Sequence, residues 1–156
     1  MRNLNSYDLI ISDIDDTLIY GPWTALMHHT WNWFRSDLLS ACLMFLQQKF
    51  KLYKVNMKLF YMLKVADCPI VFLTVRKSSN ATLQMLYDIM GRTPFSLIEL
   101  ATDFGPSQKA EVVERYLAEF PNVLFIDDNR RIRENVAGLE VDTLDPVLLR
   151  EDLICQ

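Results

Sequence analysis

An α/β domain built on a parallel sheet is predicted by three features of the sequence. Short apolar runs rich in β-branched residues recur, helical patterns alternate with them, and polar residues gather where the runs end. The runs are Leu9–Ile14, Ile70–Val75, Phe95–Ala101 and Val123–Ile126, with a weaker fifth at Leu139–Leu144. Their apolarity is continuous rather than alternating, as in strands covered on both faces. Helical patterns fall between them: Asn80–Met90 before Gly91, Gln108–Phe120 before Pro121, and Arg131–Ala137 before Gly138. Glycine after a helix and proline just beyond one are stop signals. Such alternation implies right-handed crossovers and a ligand site outside the carboxyl ends of the strands.

The 156 residues, 51% of them apolar, suffice for one hydrophobic core. The chain therefore reads as one domain over 1–156. Its rhythm is interrupted between Gly21 and Asp67, a stretch far longer than one crossover needs. Residues 21–67 read as a small helical cap or flap made of two helices. Trp23–Leu46 carries Trp31, Phe34, Leu38, Cys42 and Phe45 at helical spacing, and Phe50–Val65 carries Leu52, Val55, Leu59, Met62 and Leu63. On the second helix Lys51, Lys54 and Lys58 would share a face near Phe50, Tyr53, Phe60 and Tyr61, a pattern able to grip a nucleotide or single strand but also ordinary for a surface helix. Trp23, Trp31 and Trp33 read as packing. His28 and His29 lack acidic or cysteine partners at metal-ligand spacing and read as structural or surface residues.

A formal charge of −4 provides no global field to draw nucleic acid or an anionic membrane. Cys42, Cys68 and Cys155 form no CxxC or ligand pattern and read as thiols of a reducing compartment. No run of about 18 uncharged apolar residues is present, and the polar N-terminus does not resemble a secretory signal. The expected setting is cytoplasmic, with no membrane association and no obligate protein partner evident.

The chemistry concentrates at two strand ends. Leu-Ile-Ile leads into Asp13-Ile14-Asp15-Asp16-Thr17, and Val-Leu-Phe-Ile leads into Asp127-Asp128. Crowded carboxylates repel one another unless a cation neutralises them, and a hard divalent ion such as Mg2+ prefers oxygen ligands. Thr74 and Arg76 follow the second run, and Lys109 leads a helix after the third. A hydroxyl donor and a fixed cation are what a phosphoryl group needs for its equatorial oxygens. Asp16 suits a turn, Thr17 a bond to the loop backbone, and Ser107 the N-cap of the helix that carries Lys109. Arg76 divides evenly between a substrate clamp and a structural ion pair, while Arg130, Arg131 and Arg133 read mainly as a solvated helix face.

In this order the residues resemble the four motifs of the haloacid dehalogenase (HAD) superfamily: Asp13-x-Asp15-x-Thr17, Thr74 at a strand end, Lys109, and Asp127-Asp128. The resemblance runs from Leu9 to about Leu144. It implies a Rossmann-like three-layer sandwich whose five-stranded parallel sheet has the order 5-4-1-2-3. It further implies a phosphoric monoester hydrolase with Asp13 as nucleophile, Asp15 as general acid and base, and Thr74, Arg76 and Lys109 holding the phosphoryl group. Mg2+ would be bound by Asp13, the carbonyl of Asp15, Asp128 directly and Asp127 through water. An acid two residues after the nucleophile marks the phosphatase rather than the dehalogenase pattern. In finer detail the motifs look most like the branch of deoxynucleotidases and polynucleotide kinase 3′-phosphatases, although Asn129 follows the acidic pair where the polynucleotide members commonly place Arg. The substrate is then a small phosphorylated molecule, with a nucleotide or a nucleic-acid end as candidates. The alternatives are a HAD-fold binding or regulatory module of weak catalytic power, and a receiver domain, against which the second run ends in Thr74 rather than an acid.

Overall fold

The computed structural model describes residues 4–21, 46–47, 49–75, 80–100 and 106–150. Five strands, β1 (Leu9–Ser12), β4 (Ile70–Thr74), β5 (Ser96–Glu99), β6 (Val123–Ile126) and β7 (Asp142–Leu144), form one parallel sheet. Two more, β2 (Ile19–Tyr20) and β3 (Lys54–Val55), pair antiparallel as a separate hairpin. Numbered in chain order, the sheet runs β5-β4-β1-β6-β7, so β1 is central and the chain moves outward from it first to one side and then to the other.

Both faces of the sheet are covered, which is why its strands read as continuous apolar runs. Ile10, Phe72 and Leu124 face a core completed by Leu59 and Leu63 of helix α1 (Met57–Lys64) and by Met85, Leu86 and Met90 of α2 (Asn80–Met90). Leu9, Ile11, Val71, Leu73 and Phe125 face a second core, closed by Val113 of α3 (Pro106–Leu117) and Val136 of α4 (Arg130–Ala137). Phe72 and Phe125 thus anchor opposite layers, each fully buried and worth about 1.5–3 kcal/mol of transfer free energy. The result is a Rossmann-like helix–sheet–helix sandwich.

Strand and helix positions follow the sequence closely, with shifts at the ends. Gly91 takes φ +64 after α2, the left-handed stop its position suggests. After α4 the chain differs: Gly138 stays right-handed at φ −61, and the positive φ falls on Glu140, so β7 begins only at Asp142 rather than Leu139. Helix α3 begins at Pro106, so Ser107 lies in its first turn and is not the N-cap. Proline at the helix start sacrifices only a donor that is orphaned anyway.

The helix expected over Phe50–Val65 is corrected. Its first part is a turn, with Lys51 at φ +50, followed by β3, in which Val55 pairs with Ile19; only Met57–Lys64 is helical. Asn56 divides the two. Its backbone is extended, its side chain accepts Leu59 N at 3.2 Å, and its own N–H donates to Leu18 O at 2.8 Å. An N-cap bonded in this way cannot also continue a helix backwards. Lys51, Lys54 and Lys58 therefore sit in a turn, a strand and a helix rather than on one helical face, and the insertion contributes strand β3 as well as helix. The pattern over Trp23–Leu46, including Trp23, His28, His29, Trp31 and Trp33, lies outside the described residues apart from Leu46. Among the described residues no helix is long and apolar enough to cross a membrane.

Candidate active site

The sheet register assembles the site. Ser12 pairs with Ile126, and Asp13 N–H donates to Ile126 O at 2.8 Å, so Asp13 and Asp127, each the first residue beyond its strand, stand side by side at the carboxyl edge. Pleat alternation turns both carboxylates toward the layer that holds Ile11 and Phe125, against which α3 packs. Lys109 lies one helical turn before the buried Val113 on α3 and so points at the same place. Its Nζ is 2.7 Å from Asp13 Oδ1 and 2.7 Å from Asp127 Oδ2. All three residues are buried, Asp13 at 6%, Lys109 at 4% and Asp127 at 1% exposure, so water screens their charges little.

One ammonium thus faces two carboxylates in a dry place. Burial pushes Asp13 up to about 8, with Lys109 opposing the rise and Asp127 and Asp15 adding to it. For Lys109 burial works downward, yet the two carboxylates outweigh it and hold the ammonium well above the ordinary lysine range.

Thr17 ties the two acidic segments together across 111 positions. Asp128 N–H donates to Thr17 Oγ1 at 3.2 Å and the hydroxyl reaches Asp128 Oδ1 at 3.4 Å. Its partner is therefore the opposite acidic loop and not only its own turn. Asp127 Oδ1 accepts Asn129 N–H at 2.8 Å, and the Asn129 side chain caps α4 through Arg131 N–H and Ile132 N–H. Asp15 forms a bridge to Ile19 at the start of the hairpin.

Asp16 takes φ +51, so its place in the turn is a backbone requirement. Asp16→Val is expected to cost about 1–2 kcal/mol, and Asp16→Gly to stay within about 1 kcal/mol of the parent; thermal denaturation of the two variants distinguishes these outcomes.

Thr74 is buried at the end of β4, one residue beyond the level of Asp13, and its carbonyl accepts Leu100 N–H at 2.8 Å. Arg76 lies outside the described residues. Of the three arginines after the acidic pair, Arg130 is exposed and pairs with Glu134 on its own helix, as expected of a solvated face. Arg133 instead turns inward. Its Nη1 donates to the carbonyls of Asp127 at 2.6 Å and Asp128 at 2.7 Å, and its Nη2 to Asp145 Oδ2 at 2.6 Å. Asp145 escaped the sequence reading although it obeys the same rule as Asp13 and Asp127, being the first residue after a strand, β7. Arg133 is four positions after the N-cap Asn129, which returns its side chain toward the helix start, where carbonyls and a carboxylate must balance it.

The donor set suits a hard cation. Asp13, the carbonyl of Asp15, Asp127 and Asp128 all offer oxygen, and a cation beside Asp13 would favour the ionised carboxylate that burial disfavours. Among the described residues no three histidine, cysteine or carboxylate side chains are gathered into a ready cage. Mg2+ needs none, since it keeps several waters and takes one or two protein carboxylates. Comparison with known proteins gives no match, whether with family models, curated proteins or solved structures.

Proposed function

We propose that this chain is a Mg2+-dependent phosphatase that hydrolyses phosphomonoesters through an aspartyl-phosphate on Asp13. The observation that carries the reading is the buried Asp13–Lys109–Asp127 cluster at the carboxyl edge of a parallel sheet, with Asp15 two residues beyond the nucleophile. Strand order supports the likeness to HAD phosphatases. With the hairpin strands set aside and the five sheet strands counted among themselves, the order is 3-2-1-4-5, which from the other edge reads 5-4-1-2-3.

In the first step an Asp13 oxygen attacks phosphorus, the P–O bond to the leaving group breaks, and the Asp15 carboxyl gives its proton to the departing oxygen. Lys109 holds positive charge beside the reacting carboxylate, with Thr74 and Arg76 as candidates to hold the phosphoryl oxygens. In the second step Asp15, now ionised, takes a proton from water as that water attacks the phosphoryl group, releasing phosphate and restoring Asp13. Mg2+, held by Asp13, the Asp15 carbonyl and Asp128, with Asp127 acting through water, would supply charge against the phosphoryl oxygens.

The substrate we favour is a small phosphorylated molecule, in a cytoplasmic setting that the free thiol of Cys68 suits. Dispersal of Lys51, Lys54 and Lys58 removes the shared helical face that favoured an oligonucleotide, so free nucleotides and sugar phosphates lead over nucleic-acid ends. The test is phosphate release with Mg2+ across p-nitrophenyl phosphate, deoxynucleotides, sugar phosphates and 3′-phosphorylated oligonucleotides. Turnover of at least one ester, lost on chelation, is expected. Absence of turnover across the panel would leave a HAD-like binding module as the better reading.

A further inference from the structure

The six residues after β7 reach Arg133 beside the acidic loop, Asn56 at the start of α1, and the turn and strand that follow Asp15. Asp145 holds Arg133, which in turn holds the carbonyls of Asp127 and Asp128. Pro146 is buried and its carbonyl accepts Asn56 Nδ2 at 3.1 Å, at the start of α1. Arg150 donates through Nη2 to the carbonyl of Asp16, and its guanidinium lies 4.6 Å from the ring centroid of Tyr20 in the hairpin.

Between these anchors the segment is internally braced. Asp145 Oδ1 accepts Val147 N–H at 3.0 Å, and Leu148 and Arg150 N–H groups return to the carbonyls of Asp145 and Val147 at 3.2 Å each. The segment between the two anchors is thus a short three-ten turn closed by its own bonds rather than an unbraced loop.

We propose that residues 145–150 form a strap that couples the acidic loop after β6 to the nucleophile loop after β1, which makes Arg133 and Arg150 positioning residues of the site. Two features argue that the coupling has a use beyond closing the fold. Arg133 bonds the carbonyls of the acidic pair themselves, fixing the direction in which Asp127 and Asp128 leave the strand. Arg150 supports the carbonyl of Asp16, which has the left-handed backbone, and thereby the position of the neighbouring Asp15. Neither arginine touches substrate in this scheme; each acts through the residues it holds. The effect on turnover rests on the phosphatase reading, whereas the coupling does not.

The test uses the full chain and the variants Arg133→Met, Arg150→Met and their combination, with Arg133→Lys and Asp145→Asn as milder cuts should a methionine variant fail to fold. Amide hydrogen exchange is followed in peptides covering 13–20 and 126–130. Because Thr17 joins the two loops directly, the variants are compared in a Thr17→Val background, where each single variant is still expected to speed exchange in both loops, including the one it does not touch, with the double variant little faster than the faster single. Acceleration confined to the contacted loop, or fully additive effects, would overturn the strap. With p-nitrophenyl phosphate at saturating Mg2+, kcat is expected to fall about 10-fold or more with KM changed less than about 3-fold, the pattern of a lost transition-state arrangement. Coupled exchange in a protein that hydrolyses no ester would keep the strap and sink the phosphatase reading.

Discussion

Asp13→Asn is expected to abolish phosphate release, by about a thousandfold or more, while making the metal-free protein more stable at pH 8. The first half follows from the amide's inability to form the aspartyl-phosphate, and removal of a covalent nucleophile commonly costs this much or more. The second half follows from the electrostatics of the cluster. Burial, opposed by Lys109 and reinforced by Asp127 and Asp15, raises Asp13 from 3.8 to about 8. The folded state therefore holds this proton more tightly than the unfolded chain. That contribution is fully present below pH 3.8, declines as the pH climbs, and is lost above about 8. Asparagine removes the group that must ionise, so metal-free Asp13→Asn should melt a few degrees higher than the parent at pH 8, equivalent to about 1–2 kcal/mol, and by a smaller margin at pH 5. Calorimetry at the two pH values, in the presence of a chelator, measures both. Mg2+ is expected to raise the melting temperature of the parent more than that of the variant. Activity retained in the variant would remove Asp13 as nucleophile, and a variant less stable than the parent at pH 8 would mean that the carboxylate is already balanced.

The sheet was legible because it is buried on both faces. Leu9–Ile11, Ile70–Leu73 and Val123–Ile126 have no solvent side and so contain no polar residue until the strand end, which is also where the chemistry begins. Asp13, Asp127 and Lys109 could be singled out for the same reason: a charge that directly follows a fully buried run, or points from a helix into it, needs a partner. What escaped is short or tertiary. Strand β3 has two residues, too few to display any period, and it interrupted an apolar spacing that otherwise resembles a helix. The clue was Asn56, a favoured N-cap three residues before Leu59, which marked the true helix start. The bonds between Thr17 and Asp128 span 111 positions, and the ion pair of Arg133 with Asp145 closes around a strand, so neither leaves a local pattern. Asp145 also carried a visible signal, its place just beyond an apolar strand, and it was missed because β7 is the weakest run of the five.

Lys109→Met should act on stability in the opposite direction from Asp13→Asn. Methionine keeps much of the volume and the apolar stem but removes the ammonium that lies 2.7 Å from both Asp13 and Asp127. Two buried carboxylates are then left facing one another without a cation. Breaking a buried pair from one side typically costs about 3–5 kcal/mol, which for a chain of this size lowers the melting temperature by roughly 10 °C. Because the penalty falls on ionised carboxylates, the loss should be larger at pH 8 than at pH 5. It should shrink when Asp127→Asn is added, since the second substitution removes one of the stranded charges; the double variant is expected to be more stable than Lys109→Met alone. Lys109→Arg keeps the charge but places a wider planar group in a space shaped for an ammonium, and should fall between the parent and the methionine variant. Thermal denaturation of the parent and these three variants at the two pH values, with and without Mg2+, measures the differences. If Lys109→Met proved as stable as the parent at pH 8 without metal, the negative charge ascribed to Asp13 and Asp127 would not be there, and the electrostatic case for a divalent cation at this edge would fall with it.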